Sequence, residues 1–245
     1  GISNTLIGAA AGDSLTDADE NTVLGMNALG SDTQGSDSTA IGTGALFTQN
    51  FTTQTSALNV AVGYQAGEQI TTTGINNSFI GSNVGDDLTD ADFNVALGTH
   101  ALTADTLGSK STALGYFALG NQNFTTATDT FNTAVGYHAG LAVTTGLKNT
   151  IIGGLAGDAL TDADENVAVG MSALGADTLG SKSTAIGQGA LQVQDFTTAT
   201  DTYNTAVGYS AGNRVTTGVQ NTLIGGLAGD AQTAASNNTA LGYGS

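Results

Sequence analysis

The sequence has no cysteine and no proline, and only four basic residues among 245. Without cysteine there can be no disulfide and no thiolate, as nucleophile or as metal ligand. No apolar run approaches the ~20 residues that a membrane-spanning helix needs. Lys110, Lys148, Lys182 and Arg214 are the whole basic inventory, too few and too scattered to make a basic patch. Against 21 acidic residues they leave a net charge of −17. Such a chain repels nucleic acid and anionic membranes, so neither nucleic acid binding nor membrane insertion is expected. Charged residues are scarce at 10%, and 40% are hydrophobic, enough apolar material to bury and an argument against disorder. Asp supplies 18 of the 21 acids. Its short side chain bonds nearby backbone N–H groups, so turn chemistry is the first role expected for it.

What the sequence has instead is glycine, 36 residues of it, and a repeat. A nine-residue core of the type Asn-Thr-x-(Ile/Val/Leu)-Gly-x-x-Ala-(Gly/Leu) recurs along the whole chain. Its glycines are Gly8, Gly25, Gly42, Gly63, Gly81, Gly98, Gly115, Gly136, Gly153, Gly170, Gly187, Gly208, Gly225 and Gly242. The basic spacing is 17 residues, with a longer repeat of 21 once in every four. Gly98, Gly170 and Gly242 are successive steps of 72, so four repeats make one larger set. A period of this length is the mark of a solenoid.

Several glycines per repeat would cost a helix about 1 kcal/mol each. The β-branched residues just before the glycine read as a short strand instead. Short strands at a fixed period stack, each coil pairing with its neighbours. The fold expected is all-β: a parallel β-solenoid (a β-roll or β-helix) of fourteen coils, about 17 residues each, with a four-coil beat. Residues 1–245 form one repeat domain in this reading, a segment of a longer repetitive chain.

Each coil is numbered here from its Asn or Ser. Position one is Asn in most coils and Ser in every third coil of a set, an expected ladder of stacked amides. Position five is always Gly, for positive φ or close backbone approach. Position thirteen is a Thr column in the first, second and fourth coils. Position four is always Ile, Val or Leu and is expected to fill the interior. Position three is then expected to face outward. It too is always apolar, and a strand apolar on both faces is usually covered on both. Leu6, Phe79, Ala134, Ile151, Ala168, Ala206 and Leu223 are accordingly read as an assembly face against other copies.

Asp37–Leu46 (DSTAIGTGAL) and Lys182–Leu191 (KSTAIGQGAL) resemble the head repeats of trimeric autotransporter adhesins. Asn132–Gly140 (NTAVGYHAG) resembles repeats of bacteriophage tail fibres and large bacterial surface proteins. The resemblance implies a left-handed parallel β-roll assembled as a homotrimer. It also implies an extracellular location, on a cell surface or a virion.

Two features carry candidate chemistry. Asp17 and Asp19 recur as Asp90 and Asp92 and as Asp162 and Asp164. The Asp-Ala-Asp step puts two carboxylates on one side of an extended segment, which suits Ca²⁺, although turn and solubility roles are favoured. The long coils insert Phe-Thr-Thr segments at Phe51, Phe124 and Phe196, read as a hydrophobic tuck in preference to a sugar-binding surface. His100 and His138 are expected to face solvent. No cofactor and no catalytic residue is expected. The function expected is a structural fibre segment, an attachment rod of an adhesin, surface appendage or phage tail fibre, with itself as partner in a trimer or end to end. The alternatives are a repeat module that binds a glycan or receptor, calcium or ice, and, last, a carbohydrate-cleaving spike.

Overall fold

The computed structural model describes residues 1–245; it is all-β and contains no helix. It is a parallel β-solenoid of about fourteen coils with about 17 residues per coil. Backbone contacts divide it into two compact units: Gly1–Phe117 with Asn121–Thr130, and Ala118–Gly120 with Phe131–Ser245. In each unit the strands span positions two to four of successive coils and pair in parallel without a register shift. Thr22, Val23 and Leu24 face Thr39, Ala40 and Ile41 in the first unit. Thr205, Ala206 and Val207 face Thr222, Leu223 and Ile224 in the second.

Because the register never slips, each motif position becomes a column. The glycine column at position five has both reasons for being glycine. Gly63 has a φ of 146°, and a Cβ there would stand 2.0 Å from the carbonyl oxygen of Gly81 in the next coil. The other corners hold residues in the left-handed region whether or not they are glycine, as at His100 (φ 57°) and Lys182 (φ 62°). Their N–H groups donate to a neighbouring coil, His100 to Ser82 O and Lys182 to Asp164 O. Proline could supply neither the positive φ nor the N–H, which accounts for its absence.

The expected ladder at position one is present, with amide bonded to amide as in Asn149 Nδ2 to Asn132 Oδ1 at 3.4 Å and Asn238 Nδ2 to Asn221 Oδ1 at 3.0 Å, and it ties side chain to backbone as well. The Oδ1 of Asn149 accepts the N–H of Asn166 at 3.0 Å. Its Nδ2 donates to Ala163 O at 2.7 Å, in the same coil. Asn77, Asn94, Asn166 and Asn221 repeat both bonds. Each amide therefore braces its own coil and hands one acceptor to the next.

Buried asparagine also settles which way the strand faces. Position three lies on the same side as position one and is buried with it. Phe79, Ala134, Ile151, Ala168, Ala206 and Leu223 are 0% exposed. The outward assignment of these residues is thus corrected: they are core. Leu6, in the first coil, is half-exposed, yet its Cδ2 still reaches over Gly12. The physical reason is the size of the coil. Seventeen residues enclose little space, and alanine at positions three and eight fills most of it. The larger Phe79, Ile151 and Leu223 fit because position nine beside them is glycine. A Cβ on Gly67 or Gly85 would meet the Phe79 ring at 2.8 Å, and one on Gly212 would meet Leu223 at 2.6 Å. In second and third coils leucine takes position nine, as Leu102 and Leu119, and position three shrinks to alanine, or to Val23 in one coil. The large residue once in four coils is an interior filling of glycine hollows.

Truncating one such filling residue therefore leaves a cavity. Phe79→Ala is expected to cost about 3–5 kcal/mol in chemical denaturation, whereas Ile80→Ala, one residue along on the outer face, should cost under about 1 kcal/mol.

Candidate assembly face and buried carboxylates

With position three inward, positions two and four form the outer face of the sheet. Position two is Thr, Val or Ser throughout, and position four is Ile, Val or Leu throughout. Leu24 and Ile80 are each 46% exposed, and Leu97, Ile152, Ile186 and Ile224 are also exposed. Position six adjoins this face, with Met26, Tyr64, Tyr137, Met171 and Tyr209 exposed. No residue at positions two, four or six carries a charge in any coil. In a chain of net charge −17, every carboxylate lies elsewhere on the coil. Soluble proteins rarely leave such a contiguous apolar surface without a use for it.

The second carboxylate of each pair serves the backbone. Asp92 Oδ1 accepts the N–H of Ile75 at 2.8 Å and Asp164 Oδ1 that of Leu147 at 2.7 Å; Asp19 does the same for Ile2. Their own N–H groups donate to Ser36, Ser109 and Ser181 Oγ. Asp162 accepts from Thr145 Oγ1 at 2.6 Å and Asp90 from Thr71 Oγ1. Asp17 is exposed and gives its carbonyl to Gln54 Nε2 at 3.3 Å. No group of three or more His, Asp or Glu side chains converges to hold a metal ion. The six candidate calcium ligands are therefore not gathered into one cage.

The Thr column is likewise occupied. Thr16 and Thr161 Oγ1 donate to the carbonyls of Thr33 and Thr178 in the next coil, each at 3.0 Å. His100 stacks on Phe117 with ring centroids 4.7 Å apart, and His138 stacks on Tyr137 at 3.9 Å. Neither is a bare solvent-facing imidazole. Phe51, Phe124 and Phe196 are buried, as the hydrophobic tuck requires. The rest of each insertion returns as a two-residue strand: Thr55–Ser56 on Gly35–Ser36, Thr128–Asp129 on Gly108–Ser109, Thr200–Asp201 on Gly180–Ser181. Exposed ion pairs Lys110–Asp129 and Lys182–Asp201 span two of these seams and contribute little.

A polar constellation inside the coils escaped the sequence reading. Position twelve is an interior column of Leu, Ile or Val in first and fourth coils, with Gln232 the exception near the chain end. In second coils it is Asp32, Asp105 and Asp177; in third coils it is Gln49, Gln122 and Gln194; all six are 0% exposed. Asp177 Oδ1 accepts the N–H of Gly180 at 3.0 Å and of Phe196 at 3.1 Å. Its Oδ2 accepts from Gln194 Nε2 at 2.5 Å, and that nitrogen also donates to Ser183 Oγ at 2.8 Å. Gln194 Oε1 accepts from Asn204 Nδ2 at 2.7 Å. Gln194 thus replaces the amide that Ser183 lacks at position one. Asp32 with Gln49, and Asp105 with Gln122, repeat the arrangement. The available signal was polar residues in an otherwise aliphatic column, always next to the long coil.

Burial raises the pKa of Asp177, outweighing the hydrogen bonds from Gln194, Phe196 and Gly180 that lower it. Burial is also the leading cause that raises Asp87, Asp92 and Asp158. Asp201 is lowered, by its bond to Lys182.

The chain matches no family model, no curated protein and no solved structure.

Two expectations follow from the carboxylates. A group whose folded pKa lies above its unfolded value binds its proton more tightly when folded. Its stabilisation is full below the unfolded value and is lost as pH rises through the folded one. Four raised aspartates oppose one lowered, exposed Asp201, so the Tm by calorimetry should be higher near pH 4 than near pH 7. A Tm that rises steadily from pH 4 to pH 7 would contradict this, and Asp177→Asn should flatten the profile. Second, Gln194→Leu strips a buried carboxylate of a partner and should cost about 3–5 kcal/mol. The double change Asp177→Leu with Gln194→Leu should cost less than the two single changes added together, a coupling read from a double-mutant cycle.

Proposed function

We propose that this chain is a structural segment of a homomeric extracellular fibre, an attachment rod on a cell surface or virion, and that it is not an enzyme. The observation that carries the reading is the charge-free apolar sheet face. Two copies of a polyanion repel wherever their carboxylates meet, and positions two, four and six are where none do. Asp19, Asp92 and Asp164 bond backbone N–H groups, Asp90 and Asp162 bond threonine hydroxyls, and the Thr column bonds carbonyls, so most of the repeated polar residues are accounted for by holding coils together. The same chemistry returns every 72 or 73 residues, as suits a rod better than a single cleft. The extracellular location and the attachment role rest on the resemblance of the core motif to adhesin heads and tail fibres.

Sedimentation velocity of the 24.1 kDa chain at micromolar concentration tests the homomeric part. Association is expected. Ile152→Asp with Ile224→Asp, on the outer face, should abolish it while leaving the β-rich circular dichroism unchanged. A stable monomer across that range would overturn the reading. Ala134→Asp, by contrast, places a carboxylate in the core and should prevent folding.

A further inference from the structure

Successive four-coil sets are near copies of one another, and at positions seven and ten they part company. In the first unit these positions are filled, and the filling bonds to itself. Gln65 Nε2 donates to Glu68 Oε2 at 2.6 Å, Asn83 Nδ2 to Asp86 Oδ2 at 3.2 Å and Thr103 Oγ1 to Asp86 Oδ1 at 2.5 Å. His100 and Phe117, at position seven of successive coils, stack ring on ring. The residues 72 positions further on are Ser172 and Gly189. A hydroxymethyl and a hydrogen stand where the two rings were, and the surface opens.

The opening is a groove that follows the stacking direction. Three adjoining hollows of about 270, 120 and 190 Å³ run from coil nine to coil thirteen of the second unit. Ser172 and Gln192 line the first two and Ser210 the last two, so the hollows are continuous. Four coil steps make the groove about 19 Å long. Gln188 and Tyr209 line its middle. Tyr137 carries the stacked ring of His138, whereas Tyr209 is followed by Ser210 and is 60% exposed. Charge is confined to the ends, Asp158 at one and Arg214 with Asp230 at the other. Position six is a rim shared with the apolar sheet face; the floor at seven and the wall at ten lie off that face.

The side chains along the groove are unspent. Asn213 Nδ2 donates to Gly189 O and to Gln192 Oε1, which leaves Asn213 Oδ1 and Gln192 Nε2 open. The hydroxyls of Ser172 and Ser210 and the amide of Gln188 bond no other protein group. The backbone beneath is fully used: the N–H groups of Ser172, Gly189 and Ser210 donate to Gly154, Met171 and Gln188 O at 2.9 to 3.0 Å. An extended peptide, which binds by adding to free backbone groups, has nothing to pair with here.

We propose that this groove binds a neutral glycan chain laid along the rod. Hydroxyls and amides that both donate and accept match sugar hydroxyls, which do the same. The exposed Tyr209 offers a flat apolar body with a polar tip, suited to the face and edge of a pyranose. The uncharged middle asks for an uncharged ligand, and the net charge of −17 repels an acidic one. One coil step of about 4.8 Å is close to the length of one hexose in an extended chain, so successive sugars meet successive coils. The site lies within one chain and does not depend on assembly.

Calorimetric titration with cellohexaose, maltohexaose and N-acetylchitohexaose, all neutral, tests this, with hexagalacturonate as the acidic counterpart. At least one neutral hexaose should bind at one site per chain with little dependence on salt, and hexagalacturonate should not bind. Ser172→His with Gly189→Phe copies the His100–Phe117 stack into the groove and should weaken binding at least tenfold. The backbone accepts these residues, since Phe117 and Ser172 share a φ of 53°. The atoms nearest a Cβ on Gly189 are side-chain ends of Gln192, Asn213 and Ser210, at 3.3 to 3.4 Å. Tyr209→Ala removes one exposed ring and should also weaken binding, which keeps the test open if the double variant does not fold. No binding of any neutral hexaose at millimolar concentration would overturn the proposal. So would binding that neither variant weakens, or a preference for hexagalacturonate. None of these outcomes bears on the homomeric reading, which sedimentation decides.

Discussion

Nearly everything in this fold follows from backbone hydrogen bonds that run between coils. An N–H of one coil goes to a carbonyl of a neighbouring coil at the same position or the one before it, and the paired strands stay in register. Side chains are then forced to stack on their own kind at about 4.8 Å. Whatever one position tolerates, it must tolerate repeatedly in a row. A glycine that clears its neighbour's carbonyl must be glycine in every coil. A carboxylate column would be a line of like charges, so the acids are kept to certain coils and to turns that offer N–H groups. Amides stack without that cost, which explains why asparagine holds position one.

The second constraint is the narrow bore. A coil of this circumference has room for about four apolar side chains, as Ile151, Ala156, Leu160 and Ala163 share one and Phe79, Val84, Leu88 and Ala91 another. The four-coil beat is largely a solution to that packing problem, with large and small residues exchanging places between positions three and nine. The long third coil is where the solution changes. Serine gives up the bracing amide at position one, glutamine at position twelve supplies it, and aspartate in the coil before binds that glutamine. The buried polar pair and the inserted residues belong to one local rearrangement, in which the aspartate also takes the N–H of the inserted phenylalanine.

The fold class, the coil length and the beat were legible because the period repeats fourteen times and only stacked strands satisfy it. The facing of the strand was not. Alternation assigns sides only when one column is polar, and positions three and four are both apolar. Residue size suggested that Ile, Val and Leu fill the core; coil size says that alanine does. The decisive clue was Asn149 and its equivalents. Position one shares a side with position three, and a buried amide with two fixed partners is more informative than any aliphatic residue. Asp177 and Gln194 were missed because position twelve looks polar only when its column is compared coil by coil. The charge-free columns at two, four and six were readable all along, but they became a face only when their direction was known.

The orientation of the backbone bonds has a mechanical side. They lie along the stacking direction, so tension applied in that direction pulls on one layer after another, in series. Each layer that lets go frees about 17 residues of slack, roughly 55–60 Å when drawn out, in place of a ~4.8 Å step. A segment built this way yields in small instalments and lengthens more than tenfold locally before the covalent chain is taut.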